Sequence, residues 1–269
     1  MARSGWPGCR LKTDLPTLTL TALEGLPLVQ AGDALAELLL AALQRQHVAL
    51  RDGDIVVLAQ KIVSKAEGRR VRLTDVQVSA EAEQLAVTVE KDPRLVQLIL
   101  DESAEVVRAR PGLLVVEHRL GFVSANAGID RSNIEGGHDD DGWALMLPEN
   151  PDASATVIRE RLEDNSGARL GVLIIDSHGR AWREGTAGVA IGFSGLPGLV
   201  DLRGEPDLFG QELKVTTVGA ADELAAAASL MMGQAAEGSP AVHVRGFPYP
   251  LREGRLVELL RPKDRDAFR

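Results

Sequence analysis

A single cysteine, Cys9, occurs in 269 residues. No intrachain disulfide can form, and a zinc cluster built on cysteine is excluded. Aromatic residues make up 3% of the chain, too few for a row of base-stacking platforms. Positive charge is in deficit: the net charge of -9 lacks the basic surface that a general nucleic-acid binder needs. No apolar run approaches the roughly 20 residues that span a bilayer. Residues 1–7 lack the apolar core of a secretion signal. These absences predict a cytoplasmic protein with neither nucleic acid nor membrane as partner.

Several catalytic motifs are absent as well. There is no G-x-x-x-x-G-K-[ST], no G-x-G-x-x-G after a strand and no G-x-S-x-G. The five histidines show no H-E-x-x-H spacing. An enzyme with this profile works through oxygen donors, cations and bound substrates rather than through a familiar nucleophile.

What is present is a chain with 45% hydrophobic residues, ample for a large core. Residues 1–14 read as a loose extension and 263–269 as a charged tail, with one domain over 15–262 between them. Alternating threonine and leucine predict a strand over 17–20. Asp33 is placed to cap a helix running to Arg45. Ile55–Ala59 and Leu170–Ile175 read as strands buried on both faces, and Leu113–Val116 and Ala241–Val244 as further strands. Asp92-Pro93 opens another helix with proline at its first position. Asp152 or Ser154 is expected to cap a helix ending near Gly167. The stretch 192–210, with five glycines and two prolines, reads as a long ordered loop. Asp222 and Glu223 fall in the first turn of an alanine-rich helix stopping at Gly233. Interleaved helices and strands without a strict βαβ rhythm indicate an α+β fold on a mixed sheet.

Two segments carry the chemistry: Gly128-Ile129-Asp130-Arg131-Ser132-Asn133 and Ile174-Ile175-Asp176-Ser177-His178-Gly179-Arg180. Each places an aspartate where an apolar stretch is expected to hand over to a turn. Asp130 and Asn133 could close an Asx turn or point together into one cavity. Asp176 and Ser177 could serve a turn or offer hard oxygens to a cation, and Gln234, after the Gly233 helix stop, could add a carbonyl oxygen. Oxygen donors of this kind favour Mg²⁺ or Mn²⁺ over Zn²⁺. Lys65, Arg180 and Arg183 are the basic residues nearest these turns; each could meet phosphate or simply be solvated. The run His138-Asp139-Asp140-Asp141, flanked by glycines, reads as a flexible, solvated loop.

Six ordered segments then resemble one family. They are Gly53–Val57 with Lys61–Gly68, Gly128–Asn133, Leu147–Ala155, Asp176–Gly185, Asp207–Gly210 and Ala221–Ala225. Together they resemble the coenzyme F420-0:L-glutamate ligases, the γ-glutamyl ligases of F420 biosynthesis, over roughly residues 15–262. The resemblance implies a GTP-dependent amide ligase that adds L-glutamate to the lactyl carboxylate of F420-0, then further glutamates through γ-linkages. It implies a two-lobed α+β fold, an intertwined homodimer, two divalent ions (Mg²⁺ or Mn²⁺) and K⁺. Carried over by motif, Asp130 and Asp176 are the catalytic carboxylates and hold the first metal, and Ser177 and Gln234 join the second. GTP is contacted by Leu26, Pro27, Leu28 and Val29, by Gln60, Lys65 and Asn133, and by Met232, Gly233, Gln234, Ala235, Ala236, Glu237, Gly238 and Ser239. Arg180 and Arg183 are assigned to the acidic substrates.

Some positions depart from the family pattern. Gln60 stands where relatives commonly carry a small hydroxyl residue, and Asn150 replaces an aspartate. The stretch 136–142 reads as a local insertion. Two rivals stand beside the ligase: a metal- and nucleotide-dependent ligase or phosphotransferase acting on another acid, and a non-catalytic nucleotide-binding homologue. The retained Asp130, Asp176 and Ser177 count against the second.

Overall fold

The computed structural model describes residues 16–137, 139 and 142–267. The expected extension over 1–14 lies outside them, as do His138, Asp140 and Asp141 of the acidic run. In chain order the first half forms β1 (Thr19–Ala22), α1 (Leu35–Arg45), β2 (Ile55–Ala59), α2 (Gln60–Ala66), β3 (Arg70–Arg72), α3 (Ala80–Val89), α4 (Pro93–Asp101), β4 (Ser103–Arg110), β5 (Leu113–His118) and β6 (Val123–Ala125). The second half forms β7 (Trp143–Leu145), α5 (Pro151–Ser166), β8 (Gly171–Arg180), β9 (Arg183–Ser194), β10 (Val200–Asp201), β11 (Thr217–Val218), α6 (Ala220–Met232) and β12 (Ala241–Arg245).

The main sheet has the order β1-β12-β2-β8-β9. Only β2 and β8 run parallel, in register Ile55↔Gly171 to Ala59↔Ile175; the other neighbours are antiparallel. The fold is therefore mixed α+β. Alternation along the two central strands explains why both read as unbroken apolar runs. Val56, Leu58, Val172 and Ile174 face one way, into a core with Leu39 of α1, Ile62 of α2 and Ile158 of α5. Ile55, Val57, Leu173 and Ile175 face the other way, against Leu224, Ala225 and Ala228 of α6. Each such side chain, once fully buried, contributes about 1.5–3 kcal/mol of transfer free energy. A separate core joins Ala86 of α3, Val96 and Ile99 of α4, and Leu114 and Val116 of β5.

Several expectations are corrected. β1 begins two residues late. Asp33 does not cap α1, whose first turn has no side-chain cap; its carboxylate instead accepts from the Gln30 N–H at 2.8 Å. Neither Asp152 nor Ser154 caps α5. Asn150 does, accepting from the Ala153 N–H, a cap worth about 1 kcal/mol. Asp152 is thereby released to accept from Phe193 N (2.9 Å) and Leu256 N (3.1 Å) across the fold. The supposed loop from Gly192 starts only after Ser194, because β9 continues to that point, and it contains β10. Asp92 and Pro93 do open α4, with Asp92 accepting from Arg94 N.

The largest revision concerns Asp176. It does not sit where a strand hands over to a turn, because β8 runs on to Arg180. The pairs Asp176↔Val189, Ser177↔Gly188 and His178↔Ala187 carry the ladder past the end of the apolar run. Backbone pairing holds this polar extension in place of burial. Asp130 likewise follows a 3₁₀ turn (Asn126–Gly128) rather than a strand, and forms an isolated bridge with Leu145. The acidic stretch is tied at its ends: Gly137 N donates to Ile134 O (3.0 Å) and Trp143 N to Gly136 O (3.1 Å).

Candidate functional site

The site grows from the end of β2. The apolar strand passes directly into α2, a seven-residue helix, and helical spacing puts Lys61 and Lys65 on one face, four residues apart. Both reach the turn at Asp130–Asn133. Lys61 Nζ lies 2.6 Å from Asp130 Oδ2, and Lys65 Nζ donates to the Asn133 carbonyl at 2.8 Å. Burial, then the nearby Lys61 and Arg70, draw the Lys65 ammonium below the ordinary lysine range. Two ammonium groups thus meet one turn, Lys61 at its carboxylate and Lys65 at a neutral carbonyl, and the excess positive charge suits a polyanion.

The turn itself settles how Asp130 is used. Its Oδ1 accepts from Ser132 N at 2.7 Å, an Asx turn, while Ser132 Oγ lies 3.1 Å from Oδ2. Burial would raise this carboxyl, but the Lys61 bond and the Ser132 N–H outweigh it and hold it below its ordinary value. Asp130 is therefore an ionised carboxylate whose Oδ2 is engaged by the Lys61 ammonium and the Ser132 hydroxyl. Asn133 adopts φ +55°, a left-handed conformation that asparagine tolerates. From there its Nδ2 donates to Ala235 O at 3.1 Å.

That bond brings in the segment after α6. Met232 is buried, Gly233 ends the helix at φ +73°, and residues 234–238 are exposed. Glu237 accepts from Ala235 N at 2.8 Å. Backbone N–H groups of Ala235, then Glu237 and Gln234, hold its carboxyl below the ordinary range. Converging N–H groups of this kind make an anion-binding concavity. The Leu26–Val29 turn docks on the other side of α2: Val29 packs in the same core as Ile62 and Val63, and Gly32 N donates to Ala66 O at 2.8 Å. Leu28 is 86% exposed. Gln60, by contrast, is turned inward; it is 1% exposed and its Oε1 accepts from Ser64 Oγ at 2.8 Å.

Asp176, Ser177, Arg180 and Arg183 form a second group on the β8–β9 hairpin. Asp176 Oδ2 lies 3.1 Å from His178 Nε2, and the His178 ring tilts against Phe122 at 5.3 Å. Phe122 immediately precedes β6, from which the chain leads to Asp130. Asp222 of α6 accepts from Ala190 N at 2.9 Å; burial raises its carboxyl above the ordinary value despite the Ala190 N–H and the neighbouring His178. Ser177, Arg180 and Arg183 are exposed, and Arg180 donates to Glu184 O. Among the described residues no hydrogen bond or ion pair joins this group to Asp130, and no three acidic, histidine or cysteine side chains form a preassembled metal cage. The donors in the two groups, carboxylate, hydroxyl and amide oxygen, nevertheless match a hard divalent ion. Lys61 was not singled out in the sequence. Extending the helical pattern of α2 back to Gln60 would have placed it beside Lys65.

Comparison with known proteins follows this geometry closely in extent. A family model described as F420-0:Gamma-glutamyl ligase matches residues 25–246, from the Leu26 turn past the Met232–Ser239 segment. The coenzyme F420:L-glutamate ligase of Methanothermobacter thermautotrophicus is 50% identical over 254 residues, covering 94% of this chain and 99% of the relative. That of Methanopyrus kandleri is 45% identical over 262 residues, covering 95% and 99%. That of Archaeoglobus fulgidus is 43% identical over 246 residues, covering 91% and 94%. No helix of the described residues is long and apolar enough to cross a membrane.

Proposed function

The chain belongs to the F420-0:gamma-glutamyl ligase family and is an enzyme of the ligase class, and from that premise we propose that it uses GTP to join L-glutamate to F420-0 and then adds γ-linked glutamates. A carboxylate does not condense with an amine unaided. The lactyl carboxylate of F420-0 first attacks the γ-phosphorus of GTP, releasing GDP and forming an acyl phosphate. The glutamate amine then attacks the acyl carbon, the amide forms, and inorganic phosphate departs with the bonding pair. A proton is lost from the amine.

The observation that carries this reading is the junction at Asn133. There the Lys61–Lys65 face of α2, the Asp130 turn and the Gly233–Gly238 segment are linked by hydrogen bonds. Lys65 binds the triphosphate, joined by the backbone N–H groups around Ala235 once the Glu237 carboxylate gives them up, and Asn133 holds the two sides in register. Asp130 and Asp176 would hold one Mg²⁺ or Mn²⁺ and Ser177 and Gln234 a second; such ions neutralise transferring phosphoryl charge. Arg180 and Arg183 orient the anionic substrates. The two-lobed arrangement, the intertwined homodimer, the K⁺ requirement and a cytoplasmic location belong to the same proposal. Exposed Trp182, Leu208 and Phe209 support the dimer, since large apolar side chains in water favour a covering surface.

The test is direct. Purified protein is incubated with GTP, Mn²⁺, K⁺, L-glutamate and F420-0, and mass spectrometry follows added glutamate units and GDP. A series of products spaced by one glutamate is expected. GTP binding without any glutamylated product would overturn the reading.

A further inference from the structure

Three oxygens of one turn converge on the ammonium of Lys61. Asp130 Oδ2 lies at 2.6 Å, Ser132 Oγ at 2.8 Å and the Ser132 carbonyl at 3.3 Å. The side chain is only 25% exposed, unlike a surface lysine that exchanges its partner for water. Carboxylate, hydroxyl and carbonyl are also the donors that a hard divalent ion selects. An ammonium and a divalent ion on the same carboxylate oxygen would stand within about 4 Å of one another, where like charges repel strongly. The two therefore compete for Asp130 Oδ2. Lysine, with a flexible four-carbon stem, is the cation able to move away.

We propose that Lys61 is an internal counter-cation that orders the Asp130 turn and competes with the divalent ion for Asp130 Oδ2, transferring to the nucleotide phosphates when the ion binds. This rests on the reading of Asp130 as an ion ligand. Lys61 is on this account a positioning residue. It prevents the ion from settling tightly without nucleotide, and it supplies positive charge once phosphates arrive.

Mn²⁺ binding to the full chain, read by electron paramagnetic resonance and calorimetry, tests it with and without a non-hydrolysable GTP analogue. Without nucleotide, Lys61→Met is expected to bind Mn²⁺ about fivefold or more tightly than wild type, a typical size for coupled sites. With the analogue the order reverses, and Lys61→Arg stays near wild type without nucleotide. Unchanged or weaker nucleotide-free Mn²⁺ binding in a folded Lys61→Met protein would overturn the proposal; Lys61→Gln gives the same reading if Lys61→Met does not fold. Asp130→Asn separates the two levels. If it leaves Mn²⁺ binding untouched, the ion-ligand reading fails and this proposal with it. If it abolishes Mn²⁺ binding while the Lys61 variants match wild type, only the role of Lys61 fails.

Discussion

Asn133 and Ala235, 102 residues apart, are joined by a hydrogen bond of 3.1 Å from the Asn133 amide to the Ala235 carbonyl. The bond locks the turn carrying Asp130 to the segment that follows α6. Asn133→Ala removes it and puts at φ +55° a residue that tolerates the left-handed region less well than asparagine, together costing about 1–3 kcal/mol. Denaturant unfolding should register that loss, and calorimetry a fall in GTP affinity of roughly tenfold for each 1.4 kcal/mol transmitted to the site. Asn133→Gly relieves the backbone strain but not the lost bond. It should recover much of the stability and little of the affinity.

Asp130→Asn and Asp176→Asn preserve shape and remove charge. Each is expected to lower kcat by roughly 10³-fold, since a metal ion supplies several kcal/mol of charge stabilisation. Circular dichroism should stay unchanged. Near-normal turnover in either variant would contradict its assignment as an ion ligand.

Asp54 is 1% exposed and lies 2.9 Å from His243 Nε2 and 2.6 Å from Arg245 Nη2. Burial raises its carboxyl, but Arg245, His243 and the Arg51 N–H together bring it below the ordinary 3.8. A depressed acid stabilises the fold above its ordinary value and loses that contribution as pH falls through the lower folded one. Urea unfolding at pH 7 should find Asp54→Asn about 2–3 kcal/mol less stable, a figure held down because Arg245 is partly in water. Below pH 3.8 the two stability curves should converge.

Gly192 lets β9 approach the start of α5. A β-carbon there would meet the Pro151 carbonyl carbon and Cβ at 2.5 Å and Asp152 N at 2.8 Å. Backbone must shift, so Gly192→Ala should cost about 1–3 kcal/mol. Differential scanning calorimetry should see Tm fall by roughly 2–4 °C per kcal/mol for a chain of this size.

The central strands were legible because burial on both faces leaves an unbroken apolar run, as in Ile55–Leu58 and Leu173–Ile175. Asp92-Pro93 was legible because capping is local. Asp176–Arg180 was not, since its strand identity comes from a glycine-rich partner in β9 that carries no apolar alternation of its own. Asn150 and Asp152 exchanged roles for a similar reason: the deciding acceptor needs, at Phe193 and Leu256, lie 41 and 104 residues away. Residue type and family pattern single out Asp130 and Asp176 in the sequence. Lys61 does not stand out in the sequence because its significance depends on a neighbour 69 positions later, and only the folded chain supplies that proximity.

The parallel pairing of β2 with β8 has a kinetic consequence. Parallel strands require a long crossover, and here the register joins Ile55 to Gly171. The turn at Asp130 is threaded within that crossover, and Ala235 arrives later still from the far end of α6. Contacts of such sequence separation form late, after the entropy of closing large loops has been overcome. Strand pairing and the Lys61, Lys65 and Asn133 links are therefore expected to complete this surface near the end of folding. A chain still emerging from the ribosome holds Lys61 and Lys65 without Ala235, so on the proposed reading the nucleotide meets a complete site only in the finished molecule.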